Sequence, residues 1–272
     1  MTDWNSAEMA MPPLGLRGWL RVIRRGLLLA GLTYACLLLL LILRAIEAPL
    51  HGVNRPWTPW ITQFVCRSAM VILGIRYTVK GKALKEPGAI VANHSSWLDI
   101  FTLNAAARVY FVSKEEVHGW PGIGVLARAT GTVFITRKGT EAKRQQELFE
   151  ARLKAGHKLA FFPEGTSTDA LHVLPFKSTL FQAFFTVETV PPMQVQPVTL
   201  VYHAPEGCDP RHYGWWGDME FAPHLLMVLG DRKGGHVEVI FHAPVTVAAF
   251  ENRKVLAGYC ERVIRTSHPL LS

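Results

Sequence analysis

Cysteine is scarce in this 272-residue chain, and the four present (Cys36, Cys66, Cys208 and Cys260) lie far apart. There is no Cys-x-x-Cys pair, so neither a zinc site nor a disulfide framework is expected, and the thiols should be reduced and mostly buried. Acidic residues are also few, 21 against 29 basic, which gives a net charge of +8 and a pI near 9.5. The partner surface is therefore expected to be anionic: lipid headgroups, nucleic acid or an acidic carrier. Charged residues make up only 18% of the chain and the mean hydropathy is +0.17. Such a chain is greasy for a soluble enzyme but far too polar for a multi-span transporter. No Gly-x-Ser-x-Gly elbow, internal repeat or low-complexity tract occurs. What is present is apolar material, 49% of residues, enough for a sizeable core. A globular domain attached to a membrane fits these limits.

The attachment lies near the N-terminus. Residues Gly26 to Leu43 form an uncharged run which, as a helix, extends roughly 27 Å, about one hydrocarbon thickness. Arg17, Arg21, Arg24 and Arg25 precede it with no intervening acid, which places the N-terminus on the cytoplasmic side. No convincing small-x-small cleavage site follows at residues 44–49, so the segment is expected to be retained. A second apolar stretch, Trp60 to Ile75, is entered through a Pro- and Trp-containing turn and carries Arg67 in its middle. A lipid-spanning helix bears a cost for that charge, whereas an interfacial helix lets it snorkel. Residues 20–75 are thus read as a hydrophobic helical hairpin dipping into one leaflet, with a single span as the competing reading.

From about residue 80 the pattern changes. Strands are expected at Ala89–Ala92, Val109–Ser113, Thr132–Thr136, Leu159–Phe162, Val195–Tyr202 and Val237–His242, all short and rich in Val, Ile, Phe and Tyr. Helices are expected at Trp97–Ala107 and at Glu141–Ala155, the latter opened by Thr140, closed by Gly156, and with Leu148, Phe149 and Leu153 on one face. The alternation implies an α/β fold with a mostly parallel central sheet flanked by helices. The chain is expected to divide into an anchoring region, residues 1–79, and a globular domain, residues 80–272.

Three segments carry chemistry. In the first, the strand ending at Ala92 is followed by Asn93-His94-Ser95-Ser96-Trp97-Leu98-Asp99. Ser96 to Asp99 has capping-box spacing, so a helix should begin at Ser96 with Asp99 in its first turn. His94, just outside that helix, can fold back so that Asp99 accepts its ring N–H, leaving the other nitrogen as a base. The bland reading, a cap beside a loop histidine, is the more common outcome of this spacing taken alone. Ser95 or Ser96 as a nucleophile is disfavoured, because adjacent side chains seldom approach His94 suitably. The second segment, Phe162-Pro163-Glu164-Gly165-Thr166-Ser167-Thr168, places a carboxylate, a glycine and hydroxyls at a strand's C-terminal end, where open sheets bind ligands. A plain turn explains it equally well. The third, Gly131 to Lys138, delivers Arg137 at a strand end, suited to a carboxylate or headgroup but as easily a solvated arginine.

Taken in order, these segments resemble the glycerolipid acyltransferase family. His94-x4-Asp99, Gly131–Arg137, Phe162–Thr166 and Val195-Gln196-Pro197-Val198 match its four blocks, over roughly residues 85–200. The resemblance implies transfer of a fatty acyl group from acyl-carrier protein or acyl-CoA to a lysolipid hydroxyl, with His94 as the base and Asp99 orienting it. It further implies that Arg137, Glu164, Gly165 and Thr166 bind the acceptor, that no metal or cofactor is needed, and that the protein works at the bacterial inner membrane on its cytoplasmic face. One departure bears on the acceptor. Members acting on lysophosphatidate usually have an arginine after the threonine of the third block, and here Ser167 stands there. Phe162–Asp169, Val173–Lys177 and Tyr213–Met219 are similar to the bacterial lyso-ornithine lipid branch, which implies that acceptor, with lysophosphatidate as the alternative. Arg137 then faces an ornithine carboxylate or a phosphate.

Two other classes compete. A basic nucleic-acid-binding module requires cations interleaved with aromatics on one surface, but here the basic residues are dispersed, so no nucleic-acid partner is expected. A thioesterase or other hydrolase is closer, because water can replace the lipid hydroxyl.

Overall fold

The structure is a computed structural model that describes residues 9, 11, 13–135, 142–186 and 192–268. It opens with two helices, α1 (Leu16–His51) and α2 (Thr58–Leu73), packed against each other as a hairpin. The turn between them is held by Glu47. Its carboxylate is fully buried and accepts from Trp57 N, Thr58 N and the Thr58 hydroxyl, so it caps the start of α2. With three donors plus Arg44, its pKa lies below the usual carboxylate range despite the burial that opposes this.

α1 is one continuous helix of 36 residues, about 54 Å long. Its buried positions fall on one face in two groups, Gly18, Val22 and Arg25 near the start and Leu40 and Glu47 toward the end, and the residues between Arg25 and Leu40 are half-buried or exposed. The opposite face exposes Leu20, Leu27, Leu38 and Leu41, and the neighbouring face of α2 exposes Trp60 and Phe64.

Eight strands form one sheet: β1 (Arg76–Lys80), β2 (Gly88–Ala92), β3 (Tyr110–Lys114), β4 (Val133–Ile135), β5 (Lys158–Phe161), β6 (Gln194–His203), β7 (His236–Phe241) and β8 (Val245–Thr246). The order is β1-β7-β6-β2-β5-β3-β4, with β8 beside β6. β2 through β6 run parallel, while β7 and β8 pair antiparallel with β6. The remaining helices are α3 (Leu98–Ala106), α4 (Ile123–Ala129), α5 (Ala142–Lys154), α6 (Gln182–Thr186), α7 (Phe221–Gly230) and α8 (Arg253–Thr266). Successive residues of β2 point to opposite faces and fill two cores. Ile90 and Ala92 meet Met70, Leu73, Leu98, Leu103 and Val228 on one side, and Ala89 and Val91 meet Leu153, Leu256 and Ile264 on the other. The result is the expected α/β arrangement, a mostly parallel sheet between helical layers.

Several local expectations are corrected. β1 and β8 were not anticipated, because Arg76–Lys80 is largely exposed and lacks a clear apolar alternation. β1 pairs with β7 and straddles the 79/80 boundary. Arg67 is exposed, and its Nε donates to Ala105 O at 2.9 Å, satisfying a carbonyl in the last turn of α3. Leu148 does not join Phe149 and Leu153 in the core and stays exposed. Gly156 adopts φ 81° and donates to Leu153 O, as a helix-ending glycine should. Thr136 and Thr140 lie outside the described residues.

Candidate active site

The site forms where β2 stops. Beyond Ala92 the Asn93 side chain takes over the ladder, its Oδ1 accepting from Leu200 N (2.8 Å) and its Nδ2 donating to Leu200 O (2.9 Å). The main chain is thereby released from the sheet without leaving Leu200 unpaired, and it turns so that His94 rises at the C-terminal edge. The helix does not start at Ser96. Ser96 O accepts Asp99 N, no side-chain cap bond forms at the start of α3, and α3 begins at Leu98. The Ser96 hydroxyl is buried without a partner. Only the reciprocal half of a capping box is made, by Asp99.

Asp99 is fully buried and makes both sets of contacts considered from its spacing. Its Oδ2 lies 2.8 Å from His94 Nδ1, 2.8 Å from Ser95 N and 3.0 Å from Ser96 N. Because a carboxylate can only accept, Nδ1 carries the proton and Nε2 is the free base. Phe162 stacks on the imidazole, with centroids 4.1 Å apart and planes 11° apart. The His94 side chain keeps 19% exposure.

The loop after β5 holds the histidine from behind. Glu164 Oε1 accepts His94 N and Oε2 accepts Leu174 N, both at 2.6 Å, and the residue is 1% exposed. Burial pushes this carboxyl up to about 8, against the two backbone donors. Gly165 sits at φ 75°, and a Cβ there would lie 2.6 Å from Lys177 Nζ, so an ammonium rests on the face the glycine leaves open. Thr166 is exposed beside it. The Ser167 hydroxyl turns inward and donates to Trp215 O, while Trp215 N donates to Ser95 O. Thr168 N donates to His94 O, so the histidine backbone is bound at both its N–H and its C=O. On the other flank, Trp97 Nε1 donates to His224 Nδ1 at 2.8 Å. Burial holds that imidazole neutral, near a pKa of about 4.

His94, Asp99, Glu164, Gly165 and Thr166 therefore converge, and Arg137 lies outside the described residues. Two surface clefts lie elsewhere, one of about 670 Å³ lined by Met70, Tyr77 and His236, the other of about 560 Å³ by Leu14, Arg21 and Asp231. Sequence reasoning missed Phe162 as a stacking partner, and it missed Trp97, His224 and Trp215. It also missed Tyr202, whose hydroxyl donates to Asp99 Oδ1. Tyr202 left a signal, a phenol at an inward position in line with Val198 and Leu200 that needs a buried acceptor. Nothing local named the acceptor.

An acyltransferase family profile matches residues 75–201. A Rhodobacter capsulatus protein called lyso-ornithine lipid O-acyltransferase is 58% identical over 255 residues, 94% of this chain and 92% of that one. The chain belongs to the acyltransferase family. A Brucella abortus protein of the same name shares 37% identity, over 77% of this chain and 82% of its own. A 1-acyl-sn-glycerol-3-phosphate acyltransferase of Neisseria gonorrhoeae shares 36%, but over 43% of this chain and 47% of its own. Among solved structures, the LPA acyltransferase PlsC of Thermotoga maritima matches with TM-score 0.54 and 23% identity, covering 90% of this acyltransferase and 95% of PlsC. That match establishes a shared fold.

Proposed function

We propose that this acyltransferase moves a fatty acyl group from acyl-carrier protein or acyl-CoA to the hydroxyl of lyso-ornithine lipid, giving ornithine lipid. The observation that carries the reading is the His94 Nδ1 to Asp99 Oδ2 bond of 2.8 Å, which leaves Nε2 as a free base, in a chain so similar to the Rhodobacter protein throughout its length. His94 Nε2 takes the proton of the lipid hydroxyl as its oxygen attacks the thioester carbonyl. The new C–O bond forms, the C–S bond breaks, and the imidazolium returns its proton to the departing thiolate. Asp99 stabilises the intermediate imidazolium without taking the proton itself. Glu164 supports the backbone of the base, while Arg137 and the turn at Gly165 and Thr166 meet the headgroup.

Lysophosphatidate is the second acceptor to weigh, favoured by the Neisseria relative. Ser167 argues against it: its hydroxyl is spent on Trp215 O, so the third block offers no guanidinium at that position. Offering purified protein both lysolipids with labelled acyl-carrier protein or acyl-CoA, and analysing the lipid products, tests the assignment. Ornithine lipid as the main product supports it; phosphatidic acid alone, or free fatty acid alone, overturns it.

The apolar faces of α1 and α2 support attachment to one leaflet. Both ends of α1 are tied to the protein: Arg21 Nε donates to Gly230 O, Arg25 Nη1 to Leu229 O, and Glu47 caps α2. Burial of Gly18, Val22 and Arg25 near one end of α1 and of Leu40 and Glu47 toward the other holds both ends of the helix against the protein, which suits an in-plane anchor better than a perpendicular span. This reading puts the domain, with both ends of α1, on the cytoplasmic face of the bacterial inner membrane. With the exposed Cys208 and half-buried Cys36 replaced by serine, Leu16→Cys and Val53→Cys should each be labelled from the cytoplasmic side only. Labelling of the two from opposite sides supports a span instead.

A further inference from the structure

Tyr202 is among the largest fully buried side chains of the fold, near the end of β6, on the face that packs against α3. A phenol in such a core needs a partner for its hydroxyl, and this one donates to Asp99 Oδ1 at 2.8 Å. The Thr102 hydroxyl, one turn beyond Asp99 on α3, lies 3.0 Å from the same phenol oxygen. Since the phenol spends its single proton on the carboxylate, Thr102 is the donor to the phenol. A directed chain results, Thr102 to Tyr202 to Asp99. The carboxylate then has a different duty at each oxygen: Oδ1 takes the phenol, and Oδ2 takes His94 and the two backbone N–H groups.

We propose that Tyr202 is a positioning residue of the acyl-transfer reaction, fixing the plane of the Asp99 carboxylate and drawing part of its charge away from His94. A carboxylate held at Oδ2 alone can pivot about its Cβ–Cγ bond, whereas a donor on Oδ1 from a different strand stops that rotation. A hydrogen bond to a buried anion also spreads its charge, so the phenol sets how strongly Asp99 supports the imidazolium. Burial and the adjacent Asp99 charge push the Tyr202 hydroxyl well above its ordinary range, so it stays a donor throughout the working pH. The other ionisable groups around the pair, among the described residues, are Glu164 behind His94, Arg265 near Glu164, and Tyr213 beside Tyr202.

The test is Tyr202→Phe, with Tyr213→Phe as the control for loss of a buried phenol. Tyr213 accepts Gly235 N and its ring lies 5.8 Å from that of Tyr202, but its hydroxyl bonds are not to Asp99. Tyr202→Phe should lower kcat about tenfold with KM for the lysolipid unchanged, the worth of one charge-assisted hydrogen bond. With the remaining charge concentrated on Asp99, the acid limb of the rate profile should move to higher pH. Tyr213→Phe should leave that limb in place even if it melts at a lower temperature. A Tyr202→Phe profile that superimposes on wild type, or an equal displacement in Tyr213→Phe, overturns the proposal. If Tyr202→Phe does not fold, Thr102→Val serves, with a smaller displacement in the same direction expected and none overturning it. The proposal rests on the acyl-transfer reading of His94, so the ring titration is also followed by NMR in protein labelled with 15N-histidine. That measurement needs no substrate: absence of wild-type turnover counts against the reaction, and an unmoved titration in the variant counts against Tyr202.

Discussion

Glu164 Oε1 accepts the backbone N–H of His94 at 2.6 Å, so the residue proposed as the base is held through its main chain by a carboxyl group with 1% exposure. The other oxygen ties the same group to Leu174, ten residues further on. Glu164→Gln keeps the volume, but its amide nitrogen cannot accept, so one of the two N–H groups is left facing a donor. We expect kcat to fall at least tenfold, since a buried unpaired donor costs about 1–3 kcal/mol and the strained contact lies against the base. Wild-type kinetics in this variant would remove Glu164 from the positioning of His94.

The same carboxyl makes a prediction about stability. Its pKa is about 8 in the fold against an ordinary 4.5, so the native state binds a proton that the unfolded chain has released between those values. Unfolding free energy from this group is therefore fully present below pH 4.5 and declines as pH rises to about 8. Denaturation in detergent micelles at pH 5, 6.5 and 8 should show wild type losing stability relative to Glu164→Gln across that window. A constant difference between the two proteins contradicts the assignment.

Removal of the base and of its orienting partner should have separable effects. His94→Ala should reduce turnover about a thousandfold or more, within the range typical of general-base loss, while membrane association persists. Asp99→Asn presents an amide where the imidazole N–H needs an acceptor, and a related substitution in a histidine–aspartate pair costs about 10⁴ in kcat. Initial rates over pH 6 to 9 measure both. Near-normal rates in Asp99→Asn would reduce Asp99 to the helix-start function it also performs for Ser95 and Ser96.

Lys177 Nζ occupies the space beside Gly165 that a side chain would fill, next to exposed Thr166. With Ser167 turned away toward Trp215, this ammonium is the cation that packs against the glycine of the third block among the described residues. Lys177→Met should raise KM for an anionic lysolipid about fivefold to tenfold with kcat near wild type, as expected for an exposed charge-assisted contact. An unchanged KM places the ammonium outside the acceptor site. Gly165→Ala should be worse, because φ 75° strains an alanine and its Cβ displaces the lysine head from its position.

The outer face of α1 supplies a membrane test. Leu38 and Leu41 are exposed while Leu40 between them is 3% exposed. Leu38→Glu should leave the fold intact by circular dichroism and weaken vesicle binding, a buried charge in lipid costing about 3 kcal/mol. Leu40→Glu should instead destabilise the protein. Identical behaviour of the two variants would mean that α1 does not present one face to lipid.

Much of the architecture was legible because it depends on local patterning. The strands at Ala89–Ala92, Leu159–Phe162 and Val195–Tyr202 fell within a residue or two of β2, β5 and β6, since buried parallel strands are short, continuous apolar runs. β1 was invisible because an edge strand with exposed residues gains its place from pairing with β7, which lies 160 residues away. The start of α3 moved from Ser96 to Leu98 because Asp99 claims the Ser95 and Ser96 N–H groups and leaves the Ser96 hydroxyl out.

By itself the sequence determined the apolar anchor, the alternation that builds the sheet, and the five-residue interval that lets Asp99 reach back to His94, because each of these acts over one or two turns of chain. Tertiary structure alone decided that Tyr202 stands behind Asp99, that Glu164 grips the His94 backbone, and that Trp215 closes over Ser95. Those partners lie roughly 70 to 120 positions apart. A buried donor announces that it needs an acceptor, but only the folding of the sheet determines which acceptor comes within 3 Å of it.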